Sequence, residues 1–194
     1  MPAAPFALPP SAFGGRLIHW NGLDAAGFAA WEFLPGMRFG ERIAWWRDGA
    51  DRGSPHEGLD LLFFRTGDGR RLALGPGARV PVVWAGEVVA VVRDFLGSSV
   101  FFAHEGLDAR GRRLHTVLGH LEPRRGLAAG CAVLAGEEAG AVADPAGRRS
   151  AAPPHLHVTV GWVAAGGPLR LDWTALRDPA RVLLLDPLPL LATA

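Results

Sequence analysis

Two histidines separated by one residue are the first candidates for chemistry in this chain. His155 and His157 open an alternating run that continues to Val163. In a strand, side chains two apart project to the same face, so the two imidazoles would stand side by side. Histidine is the commonest metal ligand and also a tolerable strand residue. The pair therefore predicts either a shared metal or an ordinary strand surface, and partners elsewhere in the chain must decide.

Other histidines and carboxylates supply such partners. His56 and Asp60 lie four apart in a Pro-His-Glu-Gly-Leu-Asp loop that leads into an apolar run. Imidazole and carboxylate are both good zinc ligands. The same five residues recur from His104 to Asp108, and both copies cannot serve one small mononuclear site. His120 ends a strand-like run just before a turn, where a surface histidine is the ordinary interpretation.

The elements that must position these residues have strand character. Between residues 55 and 165, short β-branched and aromatic runs are separated by turn residues every 8–12 positions, a spacing typical of an antiparallel sandwich or barrel. We predict a mainly β fold, with an antiparallel β-sandwich or split-barrel core and short helical extensions at both termini. Residues 79–93 contain a two-strand pattern around a tight turn.

The ends of the chain are predicted to be extensions of this core. Residues 1–50 would pack on a main domain at 51–194. We expect a short strand at 16–20, a helix over 25–33 capped by Asp24, and a short helix over 180–185. The N-terminal tryptophans would pack on the core or, alternatively, form a platform on which a ligand stacks.

Composition narrows the class of protein. The chain has 194 residues, 49% of them hydrophobic, and a net charge of +1, which argues against a nucleic-acid or polybasic membrane surface. The single cysteine, Cys131, excludes an internal disulfide and a multi-cysteine zinc site. Metal ligands would have to be His, Asp or Glu. We recognise neither a secretory signal nor a transmembrane run of about 18 apolar residues.

Taken in order, the motifs are His-X-X-X-Asp, Gly-His-Leu and Pro-His-Leu-His. This order resembles the LytM/lysostaphin-type zinc metallopeptidases of the M23 family, over roughly residues 55–163. A Val-rich hairpin at 84–89 and a glycine rhythm at 127–136 extend the resemblance. It implies that His104 and Asp108 belong to a hairpin. By strand parity, His115 lies on the opposite face from His120 and is not catalytic.

The resemblance also implies roles. His56, Asp60 and His157 would hold one Zn²⁺ per chain, with a fourth position open for water. The ion would lower the pKa of that water and polarise the scissile carbonyl. His155 would take the proton, and His120 would orient the water or stabilise the oxyanion; which of them is the principal base stays open. The expected reaction is endopeptidase cleavage of peptidoglycan stems or cross-bridges, which lie in the cell envelope.

Some positions depart from the family pattern. Leu118 stands where an aromatic residue is usual, the chain has no Tyr, and Val158-Thr159 follows the last histidine in place of Phe-Glu. Arg148 and Arg149 are either a solvated loop or a contact for an acidic peptide. Three alternatives stay open: an inactive or weakly active regulator or scaffold of cell-wall enzymes, a peptidase acting on a non-wall peptide, and a phosphocarrier-type β domain. The intact five-residue set favours the enzyme.

Overall fold

The computed structural model describes residues 8–145, 152–164 and 172–192. Antiparallel sheets dominate it and short helices lie near both ends, so the predicted fold class is confirmed. In these ranges no helix is long and apolar enough to cross a membrane. The elements in chain order are α1 (Phe13–Trp20), β1 (Phe28–Glu32), β2 (Leu59–Leu61), β3 (Phe63–Thr66), β4 (Arg71–Ala73), β5 (Arg79–Pro81), β6 (Gly86–Arg93), β7 (Ser98–Leu107), β8 (Arg113–Pro123), β9 (Ala132–Val133), β10 (Glu138–Val142), β11 (Leu156–Val163), α2 (Trp173–Leu176), β12 (Val182–Leu185) and a final 3₁₀ turn (Leu188–Leu191).

The large sheet has the order β12-β11-β8-β7-β6-β9. The strand β10 pairs with both β5 and β8, and the short β2 pairs with the beginning of β11. Strands β6 and β7 and strands β7 and β8 follow one another as antiparallel neighbours, as short turns favour. The strand β11 therefore lies between β8 on one side and β2 and β12 on the other.

Alternation along β11 divides its side chains between two environments. Leu156, Val158 and Val160 are buried in the main hydrophobic core, which they share with residues from β2, β7 and β8. The intervening His157 and Thr159 are also buried, but on the opposite face of the sheet. The apolar face thus anchors the strand, and its polar face is free to build a site.

The N-terminal segment is tied to the core by strand pairing as well as by packing. The strand β1 pairs with β3 in a second sheet of order β1-β3-β4. Phe13 and Leu17 of α1 are buried in the main core. A domain boundary at residue 50 stays a prediction, but the described residues before it share a sheet with residues after it.

Two local predictions for this segment are wrong. Residues 16–20 are helical, because Phe13, Leu17 and Ile18 bury one face of α1. Residues 25–33 do not form a helix: Gly27 has a left-handed φ of 85° and the chain then enters β1. Asp24 caps no helix there, and its carboxylate accepts from the Ala25 N–H instead.

Contacts between distant strands also decide the structure of two later segments, residues 180–185 and 79–93. Residues 180–185 were expected to be helical, but 182–185 form β12, which pairs with the second half of β11. A short apolar run does not distinguish a helix from a strand, and the edge of β11 offers hydrogen bonds that decide the matter. In 79–93 the two strands exist as β5 and β6, but they pair with other strands and not with each other.

Candidate metal centre and active site

Strand register brings the predicted ligands together. On β11, His157 lies opposite Asp60 of β2 on one side and opposite Gly119 of β8 on the other. His120 follows Gly119 directly, and His56 precedes β2 by one turn of loop. The sheet therefore collects residues from three distant parts of the chain at one place.

Close approach of the loop to β11 explains the glycine between His56 and Asp60. A Cβ placed on Gly58 would lie 2.3 Å from the Val158 carbonyl oxygen and 2.6 Å from His157 Nε2. Real Cβ contacts are not that short, so a side chain here would force the loop away from the strand. The glycine lets His56 approach His157.

Three acceptor atoms converge at the centre of the site. The His157 Nδ1 lies 2.8 Å from Asp60 Oδ1 and 3.2 Å from His56 Nε2. The distance between Asp60 Oδ1 and His56 Nε2 is 3.3 Å. All three residues are buried, and together they form a group able to hold a metal ion. Ligands about 2.0–2.1 Å from a tetrahedral zinc are about 3.3 Å from one another, so this spacing suits the ion.

Hydrogen bonds outside the cluster leave lone pairs pointing into it. The Nδ1–H of His56 donates to the Arg38 carbonyl oxygen at 3.1 Å, which leaves Nε2 unprotonated in the neutral ring. The His157 Nε2 meets the Thr159 hydroxyl at 2.8 Å, so Nδ1 is available to the cluster when Nε2 carries the hydrogen. Such outer partners are typical of metal-ligating histidines. The donor set fits zinc.

Asp60 is the charged member of the cluster, and its second oxygen has a partner that the sequence did not reveal. The Trp45 Nε1–H donates to Asp60 Oδ2 at 2.8 Å. Burial alone would raise the pKa of Asp60, but the charges of His155 and His56 outweigh burial and hold this pKa well below its usual range. Asp60 is therefore a carboxylate near neutral pH.

His155 is placed beside the cluster. Its Nδ1–H donates to the Pro153 carbonyl oxygen at 2.8 Å, and its Nε2 lies 3.4 Å from Asp60 Oδ1. Burial acts to lower the pKa of His155, but the negative charge of Asp60 outweighs it and the pKa is raised. Asp60 therefore favours the protonated form of the His155 ring.

His120 is held by Asp94, which sequence reasoning missed. The His120 N–H donates to Asp94 Oδ2 at 3.1 Å, and the His120 Nδ1 lies 3.2 Å from Asp94 Oδ1, outside good hydrogen-bond geometry. His120 also has a left-handed φ of 65°, which is costly for a residue with a side chain. Burial lowers the pKa of His120 and Asp94 opposes that effect. Asp94 thus fixes the backbone at His120 and places a negative charge beside its ring.

Asp94 is itself buried in a network of donors. It accepts the Ser99 hydroxyl at 2.6 Å and the backbone N–H groups of Leu96 and Gly97 at 3.0 and 2.7 Å. Burial would raise its pKa, but His120 and these donors hold the pKa far below the usual range. An aspartate with a glycine three residues later, after an apolar strand, is a turn signal, and only the fold shows that this turn lies beside His120.

The five predicted site residues all line one cleft of about 330 Å³. The aromatic side chains of Phe95 and Trp173 border it. Phe95 contacts the ring of His120, and Trp173 contacts the ring of His157. The described part of the chain thus brings His56, Asp60, His120, His155 and His157 together, while their separate roles stay predictions. The remaining lining residues are Trp46, Arg52, Ser54, Glu57, Asp94 and Arg177.

The second copy of the pentapeptide lies elsewhere. His104 is buried in β7, where its Nδ1–H donates to the Ala85 carbonyl oxygen and its Nε2 meets the Thr116 hydroxyl. Asp108 follows β7 and accepts N–H groups of the turn to β8. The Nδ1–H of His115 donates a hydrogen bond to the Arg113 carbonyl oxygen. Arg148 and Arg149, expected to form a solvated loop or a contact for an acidic peptide, lie outside the described residues.

Fold and site together define a β-rich protein with a buried His-Asp-His group of the kind that holds a metal ion. No family model matches the chain, and no curated protein matches it. Three solved structures are similar to it: the antimicrobial peptidase lysostaphin from Staphylococcus simulans, the catalytic domain of the prophage-encoded M23 protein EnpA from Enterococcus faecalis, and a putative peptidase M23 from Pseudomonas aeruginosa.

The identities are 17%, 20% and 22%, with TM-scores of 0.47, 0.39 and 0.38. The matches cover 85%, 72% and 80% of this chain and 54%, 88% and 58% of the respective structures. The chain thus spans about half the length of lysostaphin. EnpA and the Pseudomonas aeruginosa protein both carry the name M23, the family that the sequence motifs resemble.

Proposed function

We propose that the protein is a zinc-dependent endopeptidase that hydrolyses peptide bonds in peptidoglycan stems or cross-bridges in the cell envelope. The observation that carries the proposal is the convergence of His56 Nε2, Asp60 Oδ1 and His157 Nδ1 within 4.8 Å, beside two further buried histidines in an open cleft. The choice of peptidoglycan follows the resemblance of the ordered motifs to the M23 family.

Each residue of the site has its own role in the proposed reaction. His56, Asp60 and His157 would hold the ion, which when bound supplies a Lewis acid for water and the scissile carbonyl. His155 takes the proton of the attacking water and passes it to the leaving amine, because its Nε2 faces the cluster and Asp60 favours its charged form. His120 lies against His155, with ring centroids 4.7 Å apart, and donates to the negative charge that develops on the carbonyl oxygen.

Zinc quantification coupled to a digest of purified peptidoglycan, read by mass spectrometry, tests the proposal. We expect one zinc per native chain and release of peptide fragments. His56→Ala should lose zinc, since it removes a neutral nitrogen ligand. His155→Ala should keep zinc but lose hydrolysis. The matched control is His19→Ala, because the exposed His19 ring pairs with Asp24 and does not line the cleft.

Two results would contradict this assignment. Purified protein without zinc, together with a His56→Ala variant of unchanged stability, would remove the metal centre. Full activity of His155→Ala would remove its role in proton transfer. A native protein that holds zinc and binds peptidoglycan without cutting it would instead be the regulator or scaffold.

A further inference from the structure

A partly buried arginine beside the proposed metal ligands has few partners of its own. The Arg52 side chain is 10% exposed, its Nη2 lies 3.8 Å from Asp60 Oδ2, and the same atom is 3.4 Å from the Gly36 carbonyl oxygen. Both distances exceed the roughly 2.7–2.9 Å of a charge-assisted hydrogen bond. Its buried Nε has no hydrogen-bond partner among the described residues. Because a guanidinium has five N–H donors, most of its donor capacity is unmet.

This guanidinium belongs to the cleft. Arg52 lines the same cavity as His56, Asp60 and His157. The Arg52 Cζ lies 4.9 Å from the ring centroid of Trp46, which also lines the cavity. Stacking on an aromatic ring restrains a guanidinium, and its planar fork matches the two oxygens of a carboxylate. The side chain is therefore partly organised before any ligand arrives.

The acidic groups of the cleft are already engaged elsewhere. Glu57 accepts from Arg177 at 2.9 Å, Asp94 holds His120, and Asp60 faces the metal cluster and Trp45. A dication bound at Asp60 would share the charge of that carboxylate. Arg52 would then be a poorly compensated cation next to another cation, and an unpaired buried charge is costly. An anion is the group that this part of the cleft lacks.

We propose that Arg52 is a carboxylate-binding subsite, so that the preferred peptide carries a carboxylate within a residue or two of the scissile bond. That carboxylate belongs either to an acidic side chain or to the end of the peptide. The subsite rests on the proposed peptidase function, since it places the substrate beside the His56, Asp60 and His157 cluster. It goes further by stating the charge that the substrate must carry.

Calorimetric titration of the zinc-loaded full chain with two matched pairs of short acetylated glycine peptides tests the subsite. One pair carries Glu or Gln at the central position and an amidated end, and the other has a free or an amidated carboxyl terminus. We expect one charged peptide to bind about ten-fold or more tightly than its neutral partner. The pair that responds identifies the source of the carboxylate.

Substitutions assign the preference to the arginine. Arg52→Gln should bring both members of the responding pair to equal affinity. Arg47→Gln, the same change at an exposed position of the same loop, should keep the native preference. Arg52→Lys guards against misfolding of the glutamine variant: it keeps a positive charge but replaces the fork by a single point, so the preference should fall several-fold.

The subsite would be overturned if the native protein bound the charged and neutral peptides of each pair equally. It would also be overturned if both Arg52 variants kept the preference that the native protein shows for the charged peptide. Affinity comes from the titration and cleavage from a separate product analysis, so the two proposals fail separately. A preference for the charged peptide with no hydrolysis of any peptide or of peptidoglycan would overturn the peptidase function alone. Hydrolysis of both members at equal rates with equal affinities would overturn the subsite alone.

Discussion

Replacement of Trp45 by phenylalanine should weaken zinc binding although Trp45 is not a ligand. In the native chain the Trp45 Nε1–H donates to Asp60 Oδ2 at 2.8 Å, while Asp60 Oδ1 faces the histidines. A hydrogen bond to a charged acceptor contributes about 1.5–3 kcal/mol, which corresponds to a factor of roughly 10–100 in a dissociation constant. Loss of outer-shell partners of metal ligands has effects of similar size. We therefore expect Trp45→Phe to raise the zinc dissociation constant by about 10–100-fold.

The assay is a competition titration with a chromogenic zinc chelator. Phenylalanine keeps an aromatic ring where Trp45 contacts His155, with centroids 5.2 Å apart, so packing is largely preserved. Trp31→Phe is the matched control. Its indole N–H is buried without a hydrogen-bond partner in the described structure, and its ring packs on Phe28 and Phe64. A zinc dissociation constant for Trp45→Phe within about two-fold of the native value, in a folded protein, would refute this reasoning.

Three further predictions concern catalysis, acid stability and packing. Asp94→Asn removes the charge beside His120, the proposed oxyanion donor, so turnover of a peptide substrate should fall about 10–100-fold at unchanged zinc content; an equal loss of zinc would contradict this. Burial lowers the pKa of His104 to about 4 from 6.5, so between these pH values the unfolded chain binds more protons than the folded one. The free energy of unfolding should therefore fall by about 3 kcal/mol as the pH drops through this range. Urea titrations should show a smaller fall for His104→Gln. The exposed control His19→Gln should show the same fall as the native protein. Gly58→Ala places a Cβ against the backbone of β11 and should destabilise the fold by about 1–3 kcal/mol, whereas Gly67→Ala, with open space around it, should change the urea midpoint little.

Two of the wrong local predictions share a physical cause. The segments 16–20 and 182–185 are short and mainly apolar, and such segments fit helical and strand patterns equally well. Packing of Gly14 decides the first: a Cβ there would lie 2.8 Å from Leu191 Cα, so α1 lies directly on the C-terminal turn. Pairing with β11 decides the second. Both partners are distant in sequence and invisible to a local pattern.

The sequence by itself determined the β-rich class, through alternation and turn spacing, and the chemistry of the candidate ligands, through the types and order of five residues. Ligand chemistry is a property of each side chain, and a strand pattern is a property of neighbours, so both can be read locally. It also separated the pentapeptide at His56 from the copy at His104, with help from the family resemblance.

Only the tertiary structure decided what surrounds those ligands. Trp45 on Asp60, Asp94 on His120 and Arg52 in the cleft carry no motif of their own. Asp94 reaches His120 because β7 pairs with β8, and the loop before β2 folds Trp45 and Arg52 back onto the cleft. Burial then makes those contacts strong, because a charge removed from water depends on the few groups that the fold places beside it.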